Sequence, residues 1–160
     1  MHIQLFTTGG TFDKVYFDAL SEFSIGEPMA PELLREAGVS FAFGVESLLK
    51  KDSLELTDDD RALIRARVAA CPHRHILITH GTDTMTRTAE ALQDIAGKVV
   101  VLTGAMQPAR MRQSDAPFNL GVAVGALQCL PDGVYIAMSG QLFEAGKVQK
   151  NRAAGRFEAT

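Results

Sequence analysis

No apolar run in the 160 residues approaches the roughly 20 needed to cross a bilayer. Positive charge is not in excess either. The net charge is -3, which leaves no electrostatic footprint for nucleic acid or an anionic membrane. Only two cysteines are present, Cys71 and Cys129, with neither metal nor redox spacing. They read as small buried hydrophobes, and their scarcity excludes a disulfide-stapled scaffold. Internal repeats, low-complexity stretches and linkers are absent. The start, MHIQLFTTGG, lacks the basic stretch and small-residue cleavage site of a signal peptide, so the expected location is the cytoplasm. What remains is ordinary globular material, 46% hydrophobic and 22% charged, which excludes a disordered or collagen-like chain. The length suits one domain over residues 1–160 without a second, burying roughly 68–70% of its extended surface.

Short apolar runs alternate with helical patterns. The runs are Ile3–Phe6, Val39–Phe43, Ile76–Thr79, Val99–Leu102 and Val134–Met138. Val99-Val100-Val101-Leu102 is apolar throughout, as a parallel strand covered on both faces requires. Thr57 followed by three aspartates predicts a helix N-terminus, with the helix running to Ala70 before Pro72. A second helix is predicted over Asp83–Ala96, with Met85, Ala89, Leu92 and Ala96 as its stripe and Gly97 as its stop. A third runs from Pro117 or Phe118 to Leu130 and is apolar almost all round. Such a helix is expected to be buried, against another subunit where the sheet does not cover it. The alternation predicts an α/β fold, a three-layer, mostly parallel sheet flanked by helices, flavodoxin-like or Rossmann-like. Asp13 to Pro31 is the one long segment without a pattern and reads as a lid or binding loop.

Three strand-end turns carry the chemistry. Thr7-Thr8-Gly9-Gly10-Thr11 follows the first run, and its glycines let backbone N–H groups converge on a ligand. It has no G-x-G-x-x-G and no P-loop lysine, so a nucleotide is not its expected ligand. Thr79-His80-Gly81-Thr82-Asp83-Thr84-Met85 follows the third run, and Thr103-Gly104-Ala105-Met106 the fourth. Taken singly, Thr82 and Asp83 are as well explained by helix capping, and Thr11 by a turn hydroxyl bonding its own backbone. On neighbouring strands, all three turns would face one crevice beyond the carboxyl ends. His73-x-His75 lacks a third ligand, so no metal is expected, and His80 is expected to shape its turn.

In this order, Thr8-Gly9-Gly10-Thr11, His80-Gly81-Thr82-Asp83-Thr84-Met85, Thr103-Gly104-Ala105-Met106, Ser114-Asp115-Ala116-Pro117-Phe118-Asn119-Leu120 and Lys150 resemble the bacterial-type L-asparaginase family. The resemblance spans essentially the whole chain and is to the family's N-terminal domain. It implies cofactor-free hydrolysis of L-asparagine to aspartate and ammonia through a threonine nucleophile and an acyl-enzyme. Thr11 stands where the family has its nucleophile, and Thr82, Asp83 and Lys150 where it has its second catalytic group. A threonine hydroxyl needs a base or relay at neutral pH, and a lysine paired with a carboxylate beside Thr82 would supply one. Which threonine attacks first stays open. Backbone N–H groups of the glycine turn are the expected oxyanion donors.

The resemblance further places Gly10, Ser53 and Ala105 in substrate binding, Ser53 at the substrate carboxylate. Leu54 stands where the family commonly has a glutamine for the amino acid head group. The lid position of the family falls on Phe23, with Tyr16 the nearby phenol that would otherwise fill it. Lys147 is the nearest competitor of Lys150. Asp115 and Asn119 are expected to order the turn before the third helix. The partners implied are a small-molecule amide and further copies of the chain, as a homodimer or homotetramer. Hydrolysis of glutamine or another small ω-amide, or binding of asparagine or aspartate without turnover, are the alternatives.

Overall fold

A computed structural model describes all residues from 1 to 160. Its centre is a six-stranded sheet of order β4-β1-β5-β6-β7-β8. Strands β1 (His2–Gly9), β4 (Ala42–Lys51), β5 (His75–Thr79), β6 (Val99–Thr103) and β7 (Gly133–Met138) run parallel. β8 (Gln141–Glu144) returns antiparallel along β7. Two antiparallel hairpins complete the chain, β2 (Lys14–Phe17) with β3 (Glu22–Ile25), and β9 (Val148–Asn151) with β10 (Arg156–Ala159).

The apolar run of β6 divides between two cores because successive side chains point to opposite faces. Val100 and Leu102 join Ile64 and Val68 of helix α2 (Asp58–Ala70) and Met85 and Ala89 of α3 (Met85–Ala91). Val99 and Val101 face Leu34 of α1 (Ala30–Glu36) and Leu120, Ala123 and Leu127 of α4 (Ala116–Cys129). Thr57 and Asp60 close α2 with a reciprocal capping box: the Thr57 hydroxyl accepts from Asp60 N, and the Asp60 carboxylate accepts from Thr57 N.

Several predicted boundaries move. The strand expected over Val39–Phe43 is β4, starting at Ala42; as an edge strand it alternates instead of showing a continuous apolar run. Asp13–Pro31 is not irregular but folds largely as the β2–β3 hairpin, whose four-residue strands are too short to show a period. α3 stops at Ala91, although Met85, Ala89 and Leu92 form the expected buried stripe. α4 buries one face on the sheet and leaves Phe118, Gly121, Gly125 and Cys129 outward in this chain. Cys129 is therefore exposed and Cys71 half-buried, neither being a core residue. No helix is long and apolar enough to cross a membrane.

Candidate active site

The chain passes from β1 to β4 on one side and then to β5 on the other, so the crevice opens at the carboxyl ends of β1 and β5, where connections diverge. Thr7, Thr79 and Thr103 stand in register across β1, β5 and β6, and the three glycine-bearing turns leave the sheet side by side. Thr8 Oγ1 donates to Thr79 O at 2.8 Å, and His80 N to Thr103 O at 2.9 Å, tying each tip to the next.

Backbone meets backbone between the first two turns. Gly10 has φ 76, and a Cβ there would lie 2.5 Å from Gly81 Cα. A Cβ on Gly81 would lie 2.7 Å from Ser53 Cβ. Only glycine permits this stack. Ser53 is 1% exposed behind it; its Oγ accepts from Thr84 N at 3.2 Å while its carbonyl accepts from Thr84 Oγ1 at 2.7 Å. Ala105, in the third turn, is buried in the core on the α4 side.

Beyond β5, the Lys150 ammonium donates to Thr82 Oγ1 and to Asp83 Oδ1, both at 2.7 Å. Lys150 reaches them from β9, a strand that no sequence period marked. Lys147, its competitor, pairs instead with Glu144 away from the turn. Arg152 adds a second cation, 3.5 Å from Asp83 Oδ1. An ammonium shared by a carboxylate and a hydroxyl can pass a proton between them, and can stabilise the oxyanion that the hydroxyl would form on losing its proton.

Thr11 begins a 3-10 turn and lines a pocket of about 320 Å³ with Lys14, Phe23, Met106, Gln107, Pro108 and Met111. No hydrogen bond joins Thr11 to Thr82. Met106, which lines the Thr11 pocket, has its sulfur 4.0 Å from Thr82 Oγ1. Tyr16 and Phe23 are cross-strand partners on the hairpin, ring centroids 5.2 Å apart, and of the two Phe23 lines the Thr11 pocket. Leu54 points to solvent.

His80 holds its turn from beneath. Burial pushes its imidazole down to about 4, so it is neutral. Its Nδ1 lies 2.6 Å from the Gly81 carbonyl, which only accepts, so Nδ1 carries the proton. Its Nε2 therefore accepts from Thr88 Oγ1 at 2.8 Å, and that hydroxyl in turn accepts from Arg61 Nε at 3.2 Å. Asp115 and Asn119 order the connection between β6 and α4, the segment before the third predicted helix, as expected. The Asp115 carboxylate accepts from the N–H groups of Met106 and Gln107, and Asn119 Nδ2 donates to Gly104 O. The hairpin base is clasped by Arg110, which donates to Asp13 O and Glu27 O, both at 2.9 Å. Burial pushes Asp13, beside that clasp, up to about 6 although its carboxylate accepts from Met29 N.

Arg61, Thr88, Arg110, Arg152 and Lys14 were not singled out by sequence. Isolated arginines, lysines and threonines carry no pattern, and only the fold brings them here.

Comparison with known proteins gives a consistent picture. The family model described as asparaginase, N-terminal, matches residues 2–159. An L-asparaginase of Thermococcus kodakarensis is 29% identical over 97% of this chain and 49% of its own length. A glutaminase-asparaginase of Acinetobacter glutaminasificans is 31% identical over 86% and 41%. The solved L-asparaginase I of Vibrio cholerae superposes with a TM-score of 0.87 at 27% identity, over 99% of this chain and 51% of that one. The chain spans about half the length of the curated relatives it matches.

Proposed function

The chain belongs to the asparaginase family through its N-terminal domain, and from that premise we propose that it hydrolyses the side-chain amide of L-asparagine to aspartate and ammonia. The observation that carries this reading is the Lys150 ammonium bonded at once to Thr82 and Asp83. A binding site has no need of a buried hydroxyl so activated.

In this reading Thr11 Oγ attacks the amide carbon, and its proton passes to the departing nitrogen, which leaves as ammonia. The resulting acyl-threonine is hydrolysed by water, whose proton the Thr82–Lys150–Asp83 group relays back to Thr11 as the ester bond breaks. The oxyanion donors differ from the sequence expectation in one respect. Gly10 N–H is already committed to Lys51 O at 2.9 Å, whereas the N–H groups of Thr82 and Asp83 have no protein acceptor. Each donor of this kind is worth about 3–4 kcal/mol in other enzymes. Gly10 thus contributes close approach, and Ala105 holds the third turn against the core. Assembly of copies through the outward face of α4 goes with this proposal.

The missing hydrogen bond between Thr11 and Thr82 favours a second reading, a module that binds the same ligand without turning it over. One assay separates them: ammonia release with L-asparagine, L-glutamine and D-asparagine, for the protein and for Thr11→Val and Thr82→Val. Turnover that either substitution cuts by about 10³-fold or more supports the enzyme. A folded protein that binds aspartate and releases no ammonia sinks it.

A further inference from the structure

The peptide between Gly81 and Thr82 carries one of the two N–H groups left for the oxyanion. Gly81 is glycine because a Cβ there would lie 2.7 Å from Ser53 Cβ. Glycine turns about its backbone more freely than any other residue, so the plane of the peptide that follows it has to be held from outside. That peptide is trans, which sets the Gly81 carbonyl and the Thr82 N–H on opposite sides of one plane. The carbonyl faces His80 Nδ1 at 2.6 Å and has no other protein donor, so the Thr82 N–H points away from the buried ring.

The ring is kept donating from its far side. Arg61 is 6% exposed and has donors only, and its Nε–H occupies a lone pair of Thr88 Oγ1 at 3.2 Å. The Thr88 hydroxyl is fully buried, and its remaining partner is His80 Nε2 at 2.8 Å, so its hydrogen goes there. With Nε2 accepting, a neutral imidazole keeps its proton on Nδ1, facing Gly81. Arg61, Thr88, His80 and Gly81 thus form a chain of hydrogen bonds with a single direction. A flipped peptide would set the Thr82 N–H against the Nδ1–H, donor to donor.

We propose that His80 is a positioning residue: by holding the Gly81 carbonyl, its Nδ1–H keeps the Thr82 N–H of the same peptide turned to the crevice as an oxyanion donor. The proposal rests on the amidohydrolase reading and adds to it the residue that orients this donor.

Two substitutions each copy one ring nitrogen. In His80→Asn the side-chain amide stands in place of Nδ1 and keeps a donor for the Gly81 carbonyl. In His80→Gln it stands in place of Nε2 and keeps only the contact with Thr88. Gln fills the space of the ring better than Asn, so a role in packing alone predicts that His80→Gln is the more active. With L-asparagine, His80→Asn is expected to keep kcat about 5–10-fold above His80→Gln, the span of one hydrogen bond. KM should stay within about 2-fold in both, because the oxyanion forms only in the transition state. Equal values of kcat, the opposite order, or a loss confined to KM overturns the proposal. The nitrogen NMR spectrum of the unchanged protein needs neither variant nor turnover. A proton on Nδ1 with Nε2 bare supports the proposal, and the reverse overturns it. If the protein hydrolyses no amide, the enzyme reading fails, and hydrogen exchange at the Thr82 amide decides the orientation. Faster exchange with solvent in His80→Asn than in His80→Gln supports it, and equal or slower exchange overturns it.

Discussion

On the strand side of the crevice, Thr82 and Asp83 sit on a turn pinned from every direction: Gly10 against Gly81, Ser53 behind them, His80 beneath, and Lys150 above. On the hairpin side, Tyr16, Phe17, Leu20 and Phe23 are each about half exposed or more, and the base is held by Arg110 and by the Asp13 carboxylate. Reacting groups must be held to a few tenths of an ångström, so they belong on the pinned wall. A group that admits and covers a substrate must move, and it belongs on the wall with few buried contacts. Under the proposed function, the contrast gives chemistry to the first wall and substrate selection to the second.

The sharpest way to break the assignment is Lys150→Met. It removes the shared proton donor from Thr82 and Asp83 while keeping the length of the side chain. Ammonia release should fall by about 10²–10⁴-fold with KM little changed. A fall in KM-limited rate alone would move Lys150 to the selecting wall. Next comes Gly81→Ala, whose new methyl would lie 2.7 Å from Ser53 Cβ. Overpacking of this kind costs about 1–3 kcal/mol, read as a lowered melting temperature, and shifts the catalytic turn, so kcat should fall with it. Retained kcat in a destabilised protein would show that the pinning serves stability alone.

The pinned wall was legible in the sequence and the hairpin was not, for a physical reason. Strand tips such as Thr79-His80-Gly81-Thr82-Asp83 spend hydroxyls and glycines where a core-bound strand needs neither, and β1, β5 and β6 announce themselves by buried apolar runs. Adjacency of those strands is conditional in the sequence and is supplied by the sheet order β1-β5-β6. By contrast, β2 and β3 have four residues each, part-buried at the base of the hairpin and exposed on both faces toward its tip, which leaves no period to detect. Lys150 was found through its motif, but its strand, β9, has the same brevity and was missed. The supporting arginines, Arg61 and Arg110, act through partners 27 and up to 97 residues away in the chain, which no local pattern encodes.

The two walls also titrate in opposite senses. Burial raises Asp13 from 3.8 to about 6, so between those values the folded chain holds a proton that the unfolded chain has lost. That group therefore lowers stability as pH rises through the window, and its full penalty stands above it. Burial lowers His80 from 6.5 to about 4, so there the unfolded chain holds the extra proton and stability is lost as pH falls. The two slopes offset each other between about pH 4 and 6. Asp13→Asn removes the first and keeps an acceptor for Met29 N. Thermal melts should show a gain of about 1–3 kcal/mol near neutral pH, and a steeper loss below about pH 6 than in the unchanged protein. Unchanged melts at both ends would mean that Asp13 ionises in the fold without cost.

Arg110→Ala tests whether the hairpin is held to be released. It frees the carbonyls of Asp13 and Glu27 at the base without touching the Thr11 pocket lining. KM should rise by about 5–10-fold with kcat near its starting value, since the loss falls on ordering the hairpin around substrate.

The smallest expected effect concerns which ring covers the substrate. Tyr16 and Phe23 pair across the hairpin, but only Phe23 lines the Thr11 pocket. Tyr16 is about half exposed. Phe23→Ala should therefore raise KM by about 3–10-fold through lost apolar contact, and Tyr16→Phe should leave it within about 2-fold. If Tyr16→Phe has the larger effect, the phenol reaches the substrate when the hairpin closes. The hairpin would then contribute to chemistry, and the division between the two walls would hold only for the open form.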